Sequence, residues 1–197
     1  TPHKNVNVSA FCDMANASGI QYQHKENKYN DFEHEILLPY RYSNIGPGLA
    51  VGDINGDGIE DFYIGNAEGN PGALYIQHKD GGFEEQKGPW IADSTFEDTG
   101  ALIFDADNDN LNDLLVVSGG NNKLKSGLFT HRLYLNNGKG FNKAQALPSD
   151  LNQSGKCIKT ADFDNDGDMD IFVVNLNSHC VFLRNNKGNQ NNWIILN

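Results

Sequence analysis

Nine consecutive residues, Asp162-Phe163-Asp164-Asn165-Asp166-Gly167-Asp168-Met169-Asp170, place an oxygen-bearing aspartate at every odd position and a glycine at the sixth. Carboxylates held that close repel one another, so a compact loop of this composition needs a counter-charge. A hard divalent cation supplies one. Calcium takes about six to eight oxygens at roughly 2.3–2.6 Å, and Asp162, Asp164, Asp166 and Asp170 can wrap theirs around a single point. The main-chain carbonyl of Asp168 adds another oxygen. Gly167 makes the sharp turn, because glycine takes positive φ without steric cost. The chemistry read here is calcium binding.

The pattern occurs twice more, as Asp53-Ile54-Asn55-Gly56-Asp57-Gly58-Ile59-Glu60-Asp61 and as Asp105-Ala106-Asp107-Asn108-Asp109-Asn110-Leu111-Asn112-Asp113. An EF-hand loop shares the early acids but needs an acidic ligand at position twelve and flanking helices. Position twelve is Ile64, Val116 and Val173 in the three copies, and none of these binds calcium. Each loop instead runs into Phe-Tyr-Ile, Leu-Leu-Val-Val or Ile-Phe-Val-Val, β-branched and aromatic runs of strand length. The loop closes at position nine and feeds a strand, so an EF-hand or another helical pair is excluded.

The elements that position these loops repeat with them. Before each loop stands a run that reads as a strand: 46–52, 100–104 and 157–161. After it come a second strand (62–65, 114–117, 171–174) and a third (73–77, 132–136, 180–184). A Gly-rich turn with Phe83 or Phe141 marks a weaker fourth strand in the first two units. The first aspartates, at 53, 105 and 162, set a period of roughly 55 residues, which is the mark of four-stranded propeller blades. The expected fold is all-β: a β-propeller segment of about three four-stranded blades with calcium-binding hairpin loops. Residues 1–45 are a lead-in strand and insertion. Blades follow at 46–98, 99–154 and 155–197, the last running into the start of a following domain. In the lead-in, Phe11–Met14 and Gln21–His24 read as short strands, and Tyr29–Glu35 as an insertion packed by its aromatics. His24 and His34 are not expected to be ligands.

Composition agrees with this organisation. The chain has 197 residues, 21 glycines and a formal charge of −11, and half of its 26 acids lie in the three loops. Three bound divalent ions would cancel more than half of that charge. The acidity is thus a metal-site signature, and it argues against nucleic acid, which requires a basic patch. No apolar run reaches the ~18–20 residues of a membrane-spanning helix. Cys12, Cys157 and Cys180 are an odd set without metal spacing; Cys157 and Cys180 bracket one loop-strand unit, and both a disulfide and two reduced buried thiols are compatible with that.

The run at 48–65, from Gly48-Leu49-Ala50-Val51-Gly52 through the first loop to Phe62-Tyr63-Ile64-Gly65, resembles the FG-GAP/VCBS repeat of integrin-α-like β-propellers. The other two loops match the same motif, so the resemblance covers residues 46–188. The lead-in, with Tyr29-Asn30-Asp31-Phe32 and Leu37-Leu38-Pro39, is similar to the opening of secreted bacterial proteins of the ASPIC/UnbV type. Asn192-Trp193-Ile194-Ile195-Leu196 is similar to the strand that opens the domain after the propeller in that group. The resemblance implies a seven- or eight-bladed propeller and up to three structural calcium ions. By position it assigns side-chain ligands Asp53, Asn55, Asp57 and Asp61; Asp105, Asp107, Asp109 and Asp113; and Asp162, Asp164, Asp166 and Asp170. Carbonyl ligands are Ile59, Leu111 and Asp168. Asn110 replaces glycine at position six of the second loop, which weakens that loop without abolishing it. Loop one has three acidic ligands against four in the others, so it is expected to bind least tightly.

Three units do not close a ring, since propellers use about four to eight blades. The chain is therefore expected to be part of a longer propeller, or to be completed by partners. The function expected is an exported binding module for protein or glycan at the cell surface, the bacterial outer-membrane surface in particular. Two alternatives are an accessory subunit of an outer-membrane uptake or secretion complex and a polysaccharide-active enzyme domain. No catalytic constellation is found: Glu33, His34 and Glu35 are the only suggestive cluster, no nucleophile or zinc motif is present, and no cofactor other than calcium is implied.

Overall fold

The computed structural model describes residues 11–34, 36–44, 46–120, 129–143, 147 and 153–186. They form three antiparallel sheets in chain order. The first contains β1 (Leu49–Gly52), β2 (Asp61–Ile64), β3 (Ala73–Gln77) and β4 (Phe83–Gln86). The second contains β5 (Asp98–Phe104), β6 (Asp113–Ser118), β7 (Arg132–Asn136) and β8 (Phe141–Lys143). The third contains β9 (Gly155–Ala161), β10 (Asp170–Asn175) and β11 (Val181–Leu183). Each sheet is a simple meander, as blades of a propeller are. The third shows three strands rather than four; the run Asn192–Leu196 and most of the connections at 122–130 and 146–154 lie outside the described residues.

The strands stack because their side chains alternate between two interfaces. Every residue of β6 is buried. Leu114 and Val116 point toward the first sheet, joining Ala50, Ile54, Tyr63, Leu74, Ala101 and Tyr134; Leu115 and Val117 point toward the third, joining Phe104, Ile158, Ile171 and Val173. A strand covered on both faces reads as a continuous apolar run, which is what the sequence of β6 displays. The first strands β1, β5 and β9 lie side by side and line an open trough. Gly48 permits this contact, since a Cβ there would stand 2.6 Å from the Gly100 carbonyl carbon. Between the first two sheets, the 3-10 turn Pro89–Asp93 inserts Trp90, whose ring meets Tyr63 and Tyr134 edge-on at 5.9 Å each and Phe141 at 5.4 Å.

One carboxylate per sheet ties its loop to the blade. Asp61 accepts the N–H of Ile54 at 2.9 Å and of Gln77 at 2.8 Å. Asp113 does the same with Ala106 at 2.9 Å and Asn136 at 2.8 Å, and Asp170 with Phe163 at 3.0 Å and Asn185 at 2.8 Å. All three are buried. Each therefore closes its loop and fastens the start of that loop to the end of the third strand. The Asn side chains at those ends reach across to the preceding sheet: Asn136 donates to the carbonyl of Ile54 at 2.8 Å, and Asn185 to that of Ala106 at 2.9 Å.

The lead-in departs from expectation. Phe11–Met14 and Gln21–His24 do not form strands; the one regular element there, among the described residues, is a short helix, α1 (Asp31–His34). Lacking a strand partner, this segment is held by isolated bonds: the Ser18 carbonyl accepts the N–H of Phe83 at 2.7 Å near the acidic-loop end of the first sheet, and the others lie at the opposite end. Tyr22 donates to the carbonyl of Gly65 at 2.6 Å, the N–H of Lys25 to Asn66 at 3.3 Å, and Asn27 to Glu97 at 3.4 Å. The cysteines are unpaired and exposed, neither bonded nor buried.

Two outcomes are expected. Asp113→Ala leaves two N–H groups without acceptors, that of Asn136 buried and that of Ala106 half-buried, and is expected to cost about 2–5 kcal/mol in urea denaturation, with chelator present as well as absent. An unchanged midpoint in chelator would show that Asp113 acts only through metal. Glu97 is buried, and its carboxyl is pushed up to about 8, chiefly by burial and further by Glu26, Glu68 and Asp31, against the opposing Lys156. A carboxyl raised on folding costs stability as pH rises from its unfolded value, about 4.5, to its folded one. The Tm advantage of Glu97→Gln over the parent protein is thus expected to be small at pH 4, to grow up to about pH 8 and then to level off. A pH-independent difference would contradict this.

Candidate metal loops

The three acidic loops share one backbone path. Position six is left-handed in each, with φ of 83° at Gly58, 69° at Asn110 and 93° at Gly167. Asn110 therefore adopts the geometry that glycine adopts in its siblings. Position four is left-handed as well, with φ of 75° at Gly56, 58° at Asn108 and 59° at Asn165. Sequence reasoning missed this second requirement, although the Gly/Asn/Asn series at position four was its signal.

Hydrogen bonds internal to each loop hold the acids in place. The first aspartate accepts the N–H groups of positions five and six: Asp57 at 3.1 Å and Gly58 at 2.8 Å on Asp53, Asp109 at 3.2 Å and Asn110 at 2.9 Å on Asp105, and Asp166 and Gly167 at 3.1 Å each on Asp162. The fifth-position acid accepts the N–H of the seventh residue, from Ile59 at 2.9 Å, Leu111 at 2.8 Å and Asp168 at 3.1 Å. These bonds orient the loop before any ion arrives.

Positions one, three and five converge. One carboxylate oxygen from each of Asp105, Asp107 and Asp109 lies within 4.8 Å of the others, and the same holds for Asp162, Asp164 and Asp166. Asp107 is held above the ordinary carboxylate range by partial burial, then by Asp109 and Asp105. Asp166 Oδ2 is buried and accepts no hydrogen bond, its charged neighbour being the Arg184 guanidinium at 3.6 Å. An all-oxygen, multiply negative donor set fits a hard cation such as calcium. In the first loop the third position is Asn55, whose amide donates to Asp57 at 3.3 Å, so part of the charge there is already met by a neutral group.

The ninth-position acids stand apart. Asp61, Asp113 and Asp170 spend one oxygen on the loop and the other on the third strand. Burial pushes the Asp113 carboxyl up to about 6, against the two N–H groups it accepts and with Asp107 and Asp109 raising it further. Asp61 is raised for the same leading reason. The Asp168 side chain, expected to contribute only its backbone, is buried and accepts a 2.7 Å bond from Asn108 in the neighbouring loop. Asn112 likewise donates to the Asp53 carbonyl at 2.7 Å, so consecutive loops are bonded to each other.

The histidines are engaged elsewhere. His24 pairs with Glu26 at 2.6 Å and lies 3.2 Å from the Tyr22 hydroxyl, while His34 stacks on Tyr29 with centroids 5.2 Å apart. Glu33 accepts the Asn30 amide at 3.0 Å, and Glu35 lies outside the described residues. Among the described residues no helix is long and apolar enough to cross a membrane.

A family model described as FG-GAP-like repeat matches the chain twice, over residues 53–116 and 105–173. Each match begins at the first aspartate of one loop and ends in the strand after the next. Comparison with curated proteins gave no match. The two matches together span more than half of the sequence, and their limits coincide with the loops and second strands of successive sheets: the chain belongs to the FG-GAP-like repeat family.

Proposed function

We propose that this chain is a calcium-stabilised, exported β-propeller module that recognises a protein or glycan at the cell surface, the bacterial outer-membrane surface in particular. The observation that carries the calcium part is the convergence of acidic oxygens in hairpin loops that repeat once per sheet. The ligands are Asp53, Asn55, Asp57 and Asp61 with the carbonyl of Ile59; Asp105, Asp107, Asp109 and Asp113 with that of Leu111; and Asp162, Asp164, Asp166 and Asp170 with that of Asp168. All come from one short loop apiece, which suits a structural ion more than a reacting one. The chain's own residues preorganise each site through the N–H bonds to positions one and five, and the ion supplies the counter-charge.

The lead-in's likeness to the ASPIC/UnbV type supports export, and millimolar extracellular calcium would keep even weak sites filled. No catalytic role is assigned. A second observation favours assembly with further blades, from the same polypeptide or from partner subunits. Phe172 and Val174 are 45% and 37% exposed, yet they occupy the register of Leu115 and Val117, which the third sheet buries completely. With Phe163 and Phe182 they form an aromatic face of the kind another blade covers.

Calcium is expected to raise Tm reversibly, with chelator returning it to the metal-free value. Each site contributes about 2.7 kcal/mol at 100-fold excess over its Kd. Asp107→Asn, which gives the second loop the third-position residue of the first, is expected to weaken one site while leaving the stoichiometry unchanged. Equal melting in calcium and in chelator would overturn the metal assignment. Binding on a glycan array without turnover is the outcome expected of a recognition module, and product formation would point to the enzyme alternative instead.

A further inference from the structure

The third loop makes a contact that neither of its siblings makes among the described residues. The Arg184 guanidinium lies 2.6 Å from Asp164 and 3.6 Å from Asp166, on the third- and fifth-position acids of that loop. Arg184 immediately precedes Asn185, the residue whose N–H is fastened to Asp170. The residues in the same place in the first and second sheets precede Gln77 and Asn136 and are Ile76 and Leu135, which carry no charge. Among the described residues, one loop out of three therefore has a cation from its own chain resting on two of its candidate calcium ligands.

We infer that Arg184 is a built-in competitor for calcium at the third loop, and that it sets this site's affinity below what its four acids would give. The inference rests on the calcium reading of these loops. A guanidinium and a divalent ion demand the same oxygens. Calcium binding by Asp164 and Asp166 must break the Arg184 contacts, and the freed guanidinium then stands close to an ion of like sign. The arginine also supplies the counter-charge that crowded carboxylates need, so the third loop keeps its shape without metal, whereas the second has no such internal cation among the described residues. The order of affinity changes accordingly. By count of side-chain ligand acids the second and third loops are equals; with Arg184 in place the second binds most tightly.

The test is calorimetric calcium titration of the full chain. Arg184 is 56% exposed at its side chain, so the competition is that of a partly screened ion pair. Arg184→Leu, which copies the second sheet, is expected to tighten one site about two- to fivefold. Leu135→Arg, which copies the third, is expected to weaken one site by a similar factor. Asp164→Asn is expected to abolish the effect of Arg184→Leu, which assigns the affected site to the third loop. Arg184→Gln replaces the leucine variant if that one fails to fold. Calcium binding with constants unaltered by Arg184→Leu would overturn this inference and leave the calcium reading standing. Absence of calcium binding in both parent and variant would overturn both.

Discussion

A buried carboxylate with one oxygen on a loop N–H and the other on a strand N–H is the interaction on which each unit depends. Asp61, Asp113 and Asp170 all make this pair of bonds. Without it the acidic loop would be a hairpin tip attached only through its two flanking strands. With it the first residues of the loop are pinned to the third strand, and the converging acids are held at a defined distance from the sheet. The cost is a carboxylate taken out of water, visible in the raised pKa of Asp113 and Asp61. Two N–H donors offset that cost, and a divalent ion bound in the loop would offset it further.

Stacking follows from the same loops. Where the Asp fastens the backbone of Asn136 or Asn185, the amide of that residue extends to the preceding unit's loop carbonyl. Apolar contacts complete the interface, large between the first and second sheets, where Trp90 fills the space, and smaller between the second and third. Leu147 precedes Asp162 by as many residues as Trp90 precedes Asp105, and Ala106 and Leu183 stand where the first interface has Ile54 and Tyr134. These smaller residues border a cavity of about 200 Å³ between the second and third sheets. The same architecture is thus packed to two different densities in one chain.

The repeat, its strands and its loops are legible in the sequence because they rest on local chemistry. Acids at fixed spacing, a turn residue at position six and a β-branched run after position nine each act within a dozen residues. Ile64, Val116 and Val173 at position twelve are enough to separate these loops from a helical calcium motif. What is not legible depends on residues distant in sequence. The alternation of Gln21–His24 suggests a strand, but a strand requires an edge to pair with, and this segment contacts sheet ends through single side chains. The double bonding of the ninth-position acids, the reach of Asn136 and Asn185, and the placement of Arg184 over Asp164 are consequences of the meander's geometry, which no local pattern records. Position four is the exception: Gly56, Asn108 and Asn165 carry a local signal of left-handed backbone that the spacing of the acids overshadows.

The amide-to-carbonyl contact between neighbouring units has a bearing on how such arrays change over time. The second unit carries a donor on one side, the asparagine ending its third strand, and an acceptor on the other, the carbonyl at the second position of its loop. A gene segment encoding one unit therefore brings both halves of the joint with it. Duplicating or losing that segment changes the number of units while every remaining junction keeps its complementary groups. The joint belongs to the period itself, so lineages can lengthen or shorten the array without inventing a new interface.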